Sequence, residues 1–448
     1  MLLHYIDPGT GSMLFTILIG VVTAGIYGLR SAFIKLRFVF SGGRQEKVDQ
    51  TDNPYVVFTD DKRYWNVFEP ICDEFEARKL PLRYLTASSD DPALAKEYEF
   101  VSCEFIGEGN KAFALLNSLR ADVVLSSTPG LDVLQWKRSR DVKWYAHVFH
   151  AVSDAAMYRM FGLDYYDAVL LSGEHQRKQI RELERLRNLP AKELPIVGLS
   201  YMDSMLARYN SECGESNHLD AADGEDGASS NSKTILLAPS WGKSAILATY
   251  GGDIIDALLK TGYHVVIRPH PQSMKSEADM MRRLMADYPE SDQLEWNFDN
   301  DNFNVLARSD LLISDFSGVV FDFALVFDRP IIYTEPSYDK DPYDACWLED
   351  ELWTFKVLPR IGQQLNMDDL ENMKEVIDTC LSNPELQRGR NEARDECWGC
   401  RGKSAQATVD YLVVKQAELT QPAEFAEEVD EATTPANPKP ATAAAAVE

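Results

Sequence analysis

The sequence predicts an α/β protein in which two doubly wound domains face a cleft behind a single N-terminal membrane-spanning helix. Three observations predict it. Short β-branched and aromatic runs alternate with helical patterns, and this alternation occurs twice along the chain. A stretch rich in Ser, Gly, Asp and Glu separates the two series. Ahead of both, residues 9–29 form 21 consecutive positions without a charged side chain.

The apolar N-terminal stretch is long enough to cross a bilayer as a helix. Only His4 and Asp7 stand before it as polar, titratable residues, so a cleaved signal peptide, which needs basic residues at its front, is disfavoured. Arg30, Lys35, Arg37, Arg44 and Lys47 follow the span, and this excess of positive charge predicts that the bulk of the chain is cytoplasmic. Residues 33–40 mix apolar and basic side chains; they either lie along the membrane surface or extend the spanning helix. Residues 1–48 are therefore assigned to the anchor and its juxtamembrane segment.

The first α/β series occupies residues 52–210. Its strands are predicted at Tyr55-Val-Val-Phe58, Leu82-Arg-Tyr-Leu85, Asp122-Val-Val-Leu125, Trp144-Tyr-Ala-His147, Ala168-Val-Leu-Leu171 and Pro195-Ile-Val197. Residues 211–232 read as a flexible acidic linker. The second series, residues 233–415, has strands at Thr234-Ile-Leu-Leu237, Tyr263-His-Val-Val-Ile267, Leu311-Leu-Ile313 and Pro330-Ile-Ile-Tyr333. Residues 416–448 turn Glu-, Ala-, Pro- and Thr-rich and read as a disordered tail.

Charge and cysteine usage narrow the function. A net charge of −26 argues against general affinity for nucleic acid or anionic lipid, so any phosphate must be held by a local site. The seven cysteines form no disulfide framework, and Cys397 and Cys400 make a lone CxxC with no second pair. No cluster of metal-ligand spacing stands out, and the carboxylates near Tyr338-Asp-Lys-Asp-Pro-Tyr343 read as a solvated loop.

Chemistry concentrates at predicted strand ends, where open parallel sheets bind ligands. In Val265-Val-Ile-Arg-Pro-His-Pro271 two prolines stop the strand and stiffen the loop that carries Arg268 and His270. The bland alternative is a histidine that only satisfies a turn. In Leu311-Leu-Ile-Ser-Asp-Phe-Ser-Gly-Val-Val-Phe-Asp-Phe323 a strand passes through a polar turn into a helix. Ser314, Asp315 and Ser317 are N-cap types, and the free N–H groups of such a helix start suit a phosphate. After Thr234-Ile-Leu-Leu237 comes a loop with Ser240, Trp241 and Lys243, which either lines the cleft or is a plain connection. In the first domain, Trp144-Tyr-Ala-His-Val-Phe-His150 supplies two histidines. His147 is expected inside the strand, and His150, titrating near neutrality, is either the base that takes a proton from an attacking alcohol or a structural residue.

The strand with the Arg-Pro-His-Pro turn, the Ser-Asp-Phe-Ser-Gly-Val-Val-Phe-Asp-Phe segment and Asp328-Arg-Pro-Ile-Ile-Tyr333 together resemble the donor half of the CDP-glycerol glycerophosphotransferases. The resemblance covers roughly residues 143–336. It implies a GT-B fold of two Rossmann-like domains and teichoic-acid-like polymer synthesis. It further implies contact of His270, Ser314 and Ser317 with the donor pyrophosphate, with Gly318 and Asp322 beside them and His150 as base. CDP-glycerol would be the substrate and no cofactor would be needed. The partners it implies are a nucleotide-activated donor, a lipid-linked or polymer acceptor and the membrane. This chain departs from the family pattern at Ala151, Gly242 and Gly318. Two rival readings stay open: a GT-B glycosyltransferase using a nucleotide-sugar, and an inactive membrane-tethered scaffold.

Overall fold

A computed structural model describes residues 53–213, 233–299, 301–315, 318–334 and 338–420. The proposed anchor, residues 1–48, and the tail beyond 420 lie outside these residues, as does most of the 211–232 linker. Among the described residues no helix is long and apolar enough to cross a membrane.

Among the described residues twelve strands form two sheets of six, and every strand pairing is parallel. The first contains β1 (Asn53–Thr59), β2 (Leu82–Thr86), β3 (Val101–Phe105), β4 (Ala121–Ser126), β5 (Val142–Val148) and β6 (Ala168–Leu170). The second contains β7 (Thr234–Leu237), β8 (His264–Ile267), β9 (Leu294–Trp296), β10 (Leu311–Ser314), β11 (Ile331–Thr334) and β12 (Gly362–Leu365). Their orders, β3-β2-β1-β4-β5-β6 and β12-β11-β10-β7-β8-β9, are the same doubly wound arrangement repeated. In each, the order reverses beside the first strand, between β1 and β4 and between β7 and β10, which opens a crevice at the carboxyl ends.

Central strands are buried on both faces, which is why they read as continuous apolar runs: Val56, Val57 and Phe58 are at most 1% exposed, as are Leu311, Leu312 and Ile313. Three of the four edge strands escaped the sequence reading for the same reason, β6 being the exception. β3 (Val-Ser-Cys-Glu-Phe) and β12 (Gly-Gln-Gln-Leu) have one solvated side and no apolar run, and β9 is only three residues long. Conversely, the strand expected at residues 195–197 is reduced to an isolated bridge between Leu171 and Ile196. Pro195 has no N–H to extend a ladder, and its carbonyl accepts from the Leu171 N–H at 2.8 Å.

The C-terminal boundary also differs from expectation. The helix Ser404–Thr420 continues beyond Lys415 and packs on the first lobe rather than the second, against the helix Trp65–Ala77 and β4. Gln416 Nε2 donates to Asp122 Oδ2 at 3.0 Å, Arg78 pairs with Asp410 at 2.6 Å and Lys415 with Glu193 at 2.6 Å. The chain crosses over at Cys397-Trp-Gly-Cys400, so the lone CxxC is a crossover turn. Cys397 is fully buried, with its thiol pushed up by burial, while Cys400 is exposed with a left-handed φ of 47°. Gly399 N donates to Ser172 O at 2.8 Å, and glycines make that approach possible. A Cβ on Gly198, itself at φ +86°, would lie 2.0 Å from Gly399 O, and one on Gly173 would lie 2.2 Å from Glu396 O.

A second cross-lobe device is the buried Asp154 of the first lobe. Its carboxylate accepts from the N–H groups of Trp353 (2.7 Å) and Thr354 (2.8 Å), capping the helix Trp353–Ile361 of the second lobe.

Candidate active site

At the reversal point of the second sheet, the carboxyl ends of β7, β8 and β10 bring four of the expected residues together. Asp315 follows β10, and its Oδ2 accepts from both the N–H (2.9 Å) and the hydroxyl (2.6 Å) of Ser240 in the loop after β7. The other oxygen, Oδ1, is buried without a hydrogen-bond partner. Trp241, 52% exposed, lies with its ring centroid 6.4 Å from that of His270 at a tilt of 35°. The Gly242 N–H then donates to Glu277 Oε1 at 2.6 Å, with a left-handed φ of 101° that turns the loop over the strand ends.

His270 stands on the stiff turn after β8. The Gln272 N–H donates to its Nδ1 at 3.1 Å, which leaves the proton of the neutral ring on Nε2. Its pKa is lowered, first by partial burial; the Asp315 and Glu277 carboxylates oppose the shift and Arg63 of the first lobe adds to it.

Other expected residues point elsewhere. Ser314 is fully buried and its hydroxyl donates to Ala238 O at 2.6 Å, so it ties β10 to the end of β7 rather than facing a diphosphate. Arg268 turns toward the end of β9, where it donates to the Asn297 side chain and, at 2.7 Å, to Asp299 O. Gly318 precedes the short helix Val319–Phe321 with open space where a side chain would stand. Ser317 lies outside the described residues. Asp322 opens a π-helical turn, Asp322–Val326, and accepts from the Tyr201 hydroxyl at 2.9 Å. Burial raises its pKa to about 6 against the lowering effect of that bond.

The first lobe repeats this construction. The Ser126 hydroxyl at the end of β4 donates to Phe58 O at 2.8 Å and is fully buried, the counterpart of Ser314 and Ala238. Just beyond, Thr128 Oγ1 donates to Asp60 Oδ1 at 2.8 Å across the reversal point. His147 is fully buried inside β5, as expected. His150 emerges after the strand with its ring 4.6 Å from Tyr64, and its Nδ1 is 3.4 Å from the Tyr158 hydroxyl, which is also 3.0 Å from His147 Nε2. Burial, then the charge of Arg63, lowers the His150 pKa to about 4, so the imidazole is neutral at physiological pH.

Arg63 and the groove beside it were missed by sequence reasoning. Arg63 lies in the 3-10 turn Lys62–Tyr64 after β1, its side chain 75% exposed and paired with Asp61 at 2.9 Å. Its charge lowers the proton affinity of His150 in the first lobe and of His270 in the second. Next to it, the carboxyl ends of β1 to β3 form a groove of about 420 Å³ lined by Asp60, Ser88, Ser89, Asp90 and Glu108. The available signal was positional: Asp60-Asp-Lys-Arg-Tyr64 immediately follows the first strand, at the edge where such sheets hold ligands. No group of three His, Cys, Asp or Glu residues among the described residues is arranged to hold a metal ion.

The family model for CDP-glycerol:poly(glycerophosphate) glycerophosphotransferase matches residues 159–347. Over these residues the chain is similar to that family. The matched stretch carries Ser240, Trp241, Arg268, His270 and Asp315, while His150 lies just before it. Among solved structures, the wall teichoic acid polymerase TagF is similar at 17% identity and a TM-score of 0.52, covering 88% of this chain and 98% of that one. UDP-GlcNAc 2-epimerase from Neisseria meningitidis is similar at 12% identity and a TM-score of 0.53, covering 81% and 100%. At these identities the likeness is one of fold, a GT-B-like pair of six-stranded sheets. No curated protein sequence matches the chain.

Proposed function

We propose that this chain transfers glycerol phosphate from CDP-glycerol to an acceptor hydroxyl during cell-envelope polymer synthesis and releases CMP. The observation that carries the reading is the gathering of His270, Trp241, Ser240 and Asp315 at the carboxyl ends of β7, β8 and β10. Neutral His150 accepts the proton of the acceptor hydroxyl at Nε2, since Tyr158 occupies the side of Nδ1. The acceptor oxygen bonds to the β-phosphorus as the bond from that phosphorus to the bridging oxygen breaks, and CMP leaves with the electron pair. His270 donates through Nε2–H to the diphosphate, with Arg63 beside it, and both stabilise the charge that builds on the leaving phosphate. Trp241 offers an aromatic face to the donor's base or ribose. Ser240 and Asp315 hold that loop in place.

TagF, whose fold this chain shares, has been soaked with CDPG, which supports CDP-glycerol as the donor to try first. The test is nucleotide release by purified protein given CDP-glycerol or UDP-sugars, with and without acceptor. Acceptor-dependent CMP from CDP-glycerol is expected. UDP release with no CMP would replace this reading by a glycosyltransferase, and failure of CDP-glycerol to raise the melting temperature would favour a scaffold.

Residues 9–29 are proposed as a single-pass anchor holding the catalytic lobes on the cytoplasmic side, where nucleotide-activated donors are made. The uncharged run and the basic residues after it support this. Cell fractionation tests it: the full chain is expected in the carbonate-washed membrane, and a chain starting at residue 49 in the supernatant.

A further inference from the structure

Trp241 is a large apolar side chain left 52% exposed at the carboxyl end of β7, beside His270. Its backbone neighbours are nevertheless fixed by carboxylates on both sides. Ser240 gives its N–H and its hydroxyl to Asp315, at 2.9 and 2.6 Å, and Gly242 gives its N–H to Glu277 at 2.6 Å. An exposed indole on a backbone held at both flanks has a fixed place and an open face, the pattern of a binding platform rather than of a core residue.

Glu277 ties that platform to the imidazole. In the turn after β8 the Ser273 N–H donates to His270 O at 2.9 Å and the Glu277 N–H to Ser273 O at 2.9 Å, so His270 and Glu277 stand at the two ends of one hydrogen-bonded unit. One end carries the ring that meets the diphosphate in the proposed reaction, and the other holds the loop of Trp241. At Gly242 a φ of 101° presents the N–H to the carboxylate, a conformation that residues with a Cβ rarely adopt. A carboxylate beside a diphosphate site repels the ligand, so the charge of half-buried Glu277 does not account for its place there. The bond it makes to the loop does.

We infer that Glu277 is a positioning residue of the donor site: by accepting from the Gly242 N–H it sets the Trp241 ring against His270, so that a nucleotide whose diphosphate meets His270 finds its nucleoside already faced by the indole. Glu277 acts through the acceptor oxygen it presents, and its charge is incidental. The inference rests on the glycerophosphotransferase reading and deepens it by naming the residue that preorganises nucleoside binding.

Two conservative variants of the full chain separate reach from charge. Glu277→Gln keeps an acceptor oxygen at the same reach and removes the charge, whereas Glu277→Asp keeps the charge and withdraws it by one methylene. With CDP-glycerol as the varied substrate, Glu277→Asp is expected to raise KM roughly ten-fold, as loss of a hydrogen bond to a charged group does, with kcat within about two-fold of wild type. Glu277→Gln is expected to keep KM within about three-fold of wild type. In a Trp241→Ala background, itself expected to raise KM, the Asp substitution should add nothing further, because the bond then has no ring to place. An unchanged KM in Glu277→Asp, a Gln variant as impaired as Asp, or the same penalty in both backgrounds overturns the inference. In chain labelled with 5-fluorotryptophan, the Trp241 fluorine resonance, identified among the eight tryptophans by Trp241→Phe, should shift or broaden in Glu277→Asp and stay in place in Glu277→Gln. That measurement needs no donor. If the wild type neither binds CDP-glycerol nor releases CMP, the glycerophosphotransferase reading fails, and an unmoved Trp241 resonance in Glu277→Asp overturns the positioning role separately.

Discussion

At the carboxyl end of β1, the Arg63 guanidinium acts on an imidazole from each lobe, and its removal should be felt at both. Arg63→Ala is expected to weaken donor binding by roughly ten-fold or more, as loss of a charge-assisted phosphate contact does. It should also raise the proton affinity of His150, moving the acidic limb of the kcat/KM profile to higher pH; donor titration and a pH series check the two effects. His150 itself makes a stability prediction. Its folded pKa, about 4, lies below the ordinary 6.5, so as pH falls below 6.5 the unfolded chain takes up this proton first and stability is lost down to about pH 4. The effect is at most roughly 3 kcal/mol. Asp322, raised to about 6, acts in the opposite sense, because its folded form takes up a proton first as pH falls below that value. The His150 contribution is therefore read as a difference: the melting-temperature gap between His150→Gln and the wild type should shift in favour of the variant between neutral pH and about pH 4.5. The same substitution is expected to abolish acceptor-dependent CMP release.

The two sheets repeat one local device. Ser126 to Phe58 O and Ser314 to Ala238 O are both buried serine hydroxyls that tie the fourth strand of a sheet to the end of its first, at the point where strand order reverses. Removing either hydroxyl leaves a buried carbonyl without this donor, so Ser126→Ala and Ser314→Ala should each cost about 1–3 kcal/mol, measurable by urea unfolding. Because Ser314 is structural in this arrangement, Ser314→Ala is expected to leave the KM for CDP-glycerol within about two-fold of wild type, the result a fully buried, already bonded hydroxyl implies. A much larger rise in that KM would return Ser314 to the donor site.

Across the whole molecule, the lobes are joined by Asp154 capping the helix Trp353–Ile361 and by the helix Ser404–Thr420, which starts from the second lobe and finishes on the first. Asp154→Ala is expected to destabilise the chain by about 1–2 kcal/mol, as loss of a cap does. Hydrogen exchange should locate the loss at the amides of Trp353 and Thr354, 199 and 200 residues away in sequence.

The sequence by itself determined the repeated α/β plan, the central strands and the loops that carry His150, Ser240, Trp241, His270 and Asp315. These follow from local facts: doubly buried strands must be apolar throughout, and a proline-flanked turn must end a strand. Tertiary structure alone decided which of those side chains meet. Ser314 reads as a polar-turn residue in the sequence, yet pairing of strands 76 positions apart buries it against a carbonyl, as pairing 68 positions apart does Ser126. Arg63 carries no motif, and its role arises only when two lobes bring distant histidines within its field. The destination of Ser404–Thr420 was hidden for the same reason: a helical pattern records that one face is to be covered, while the surface that covers it is set by how the rest of the chain folds.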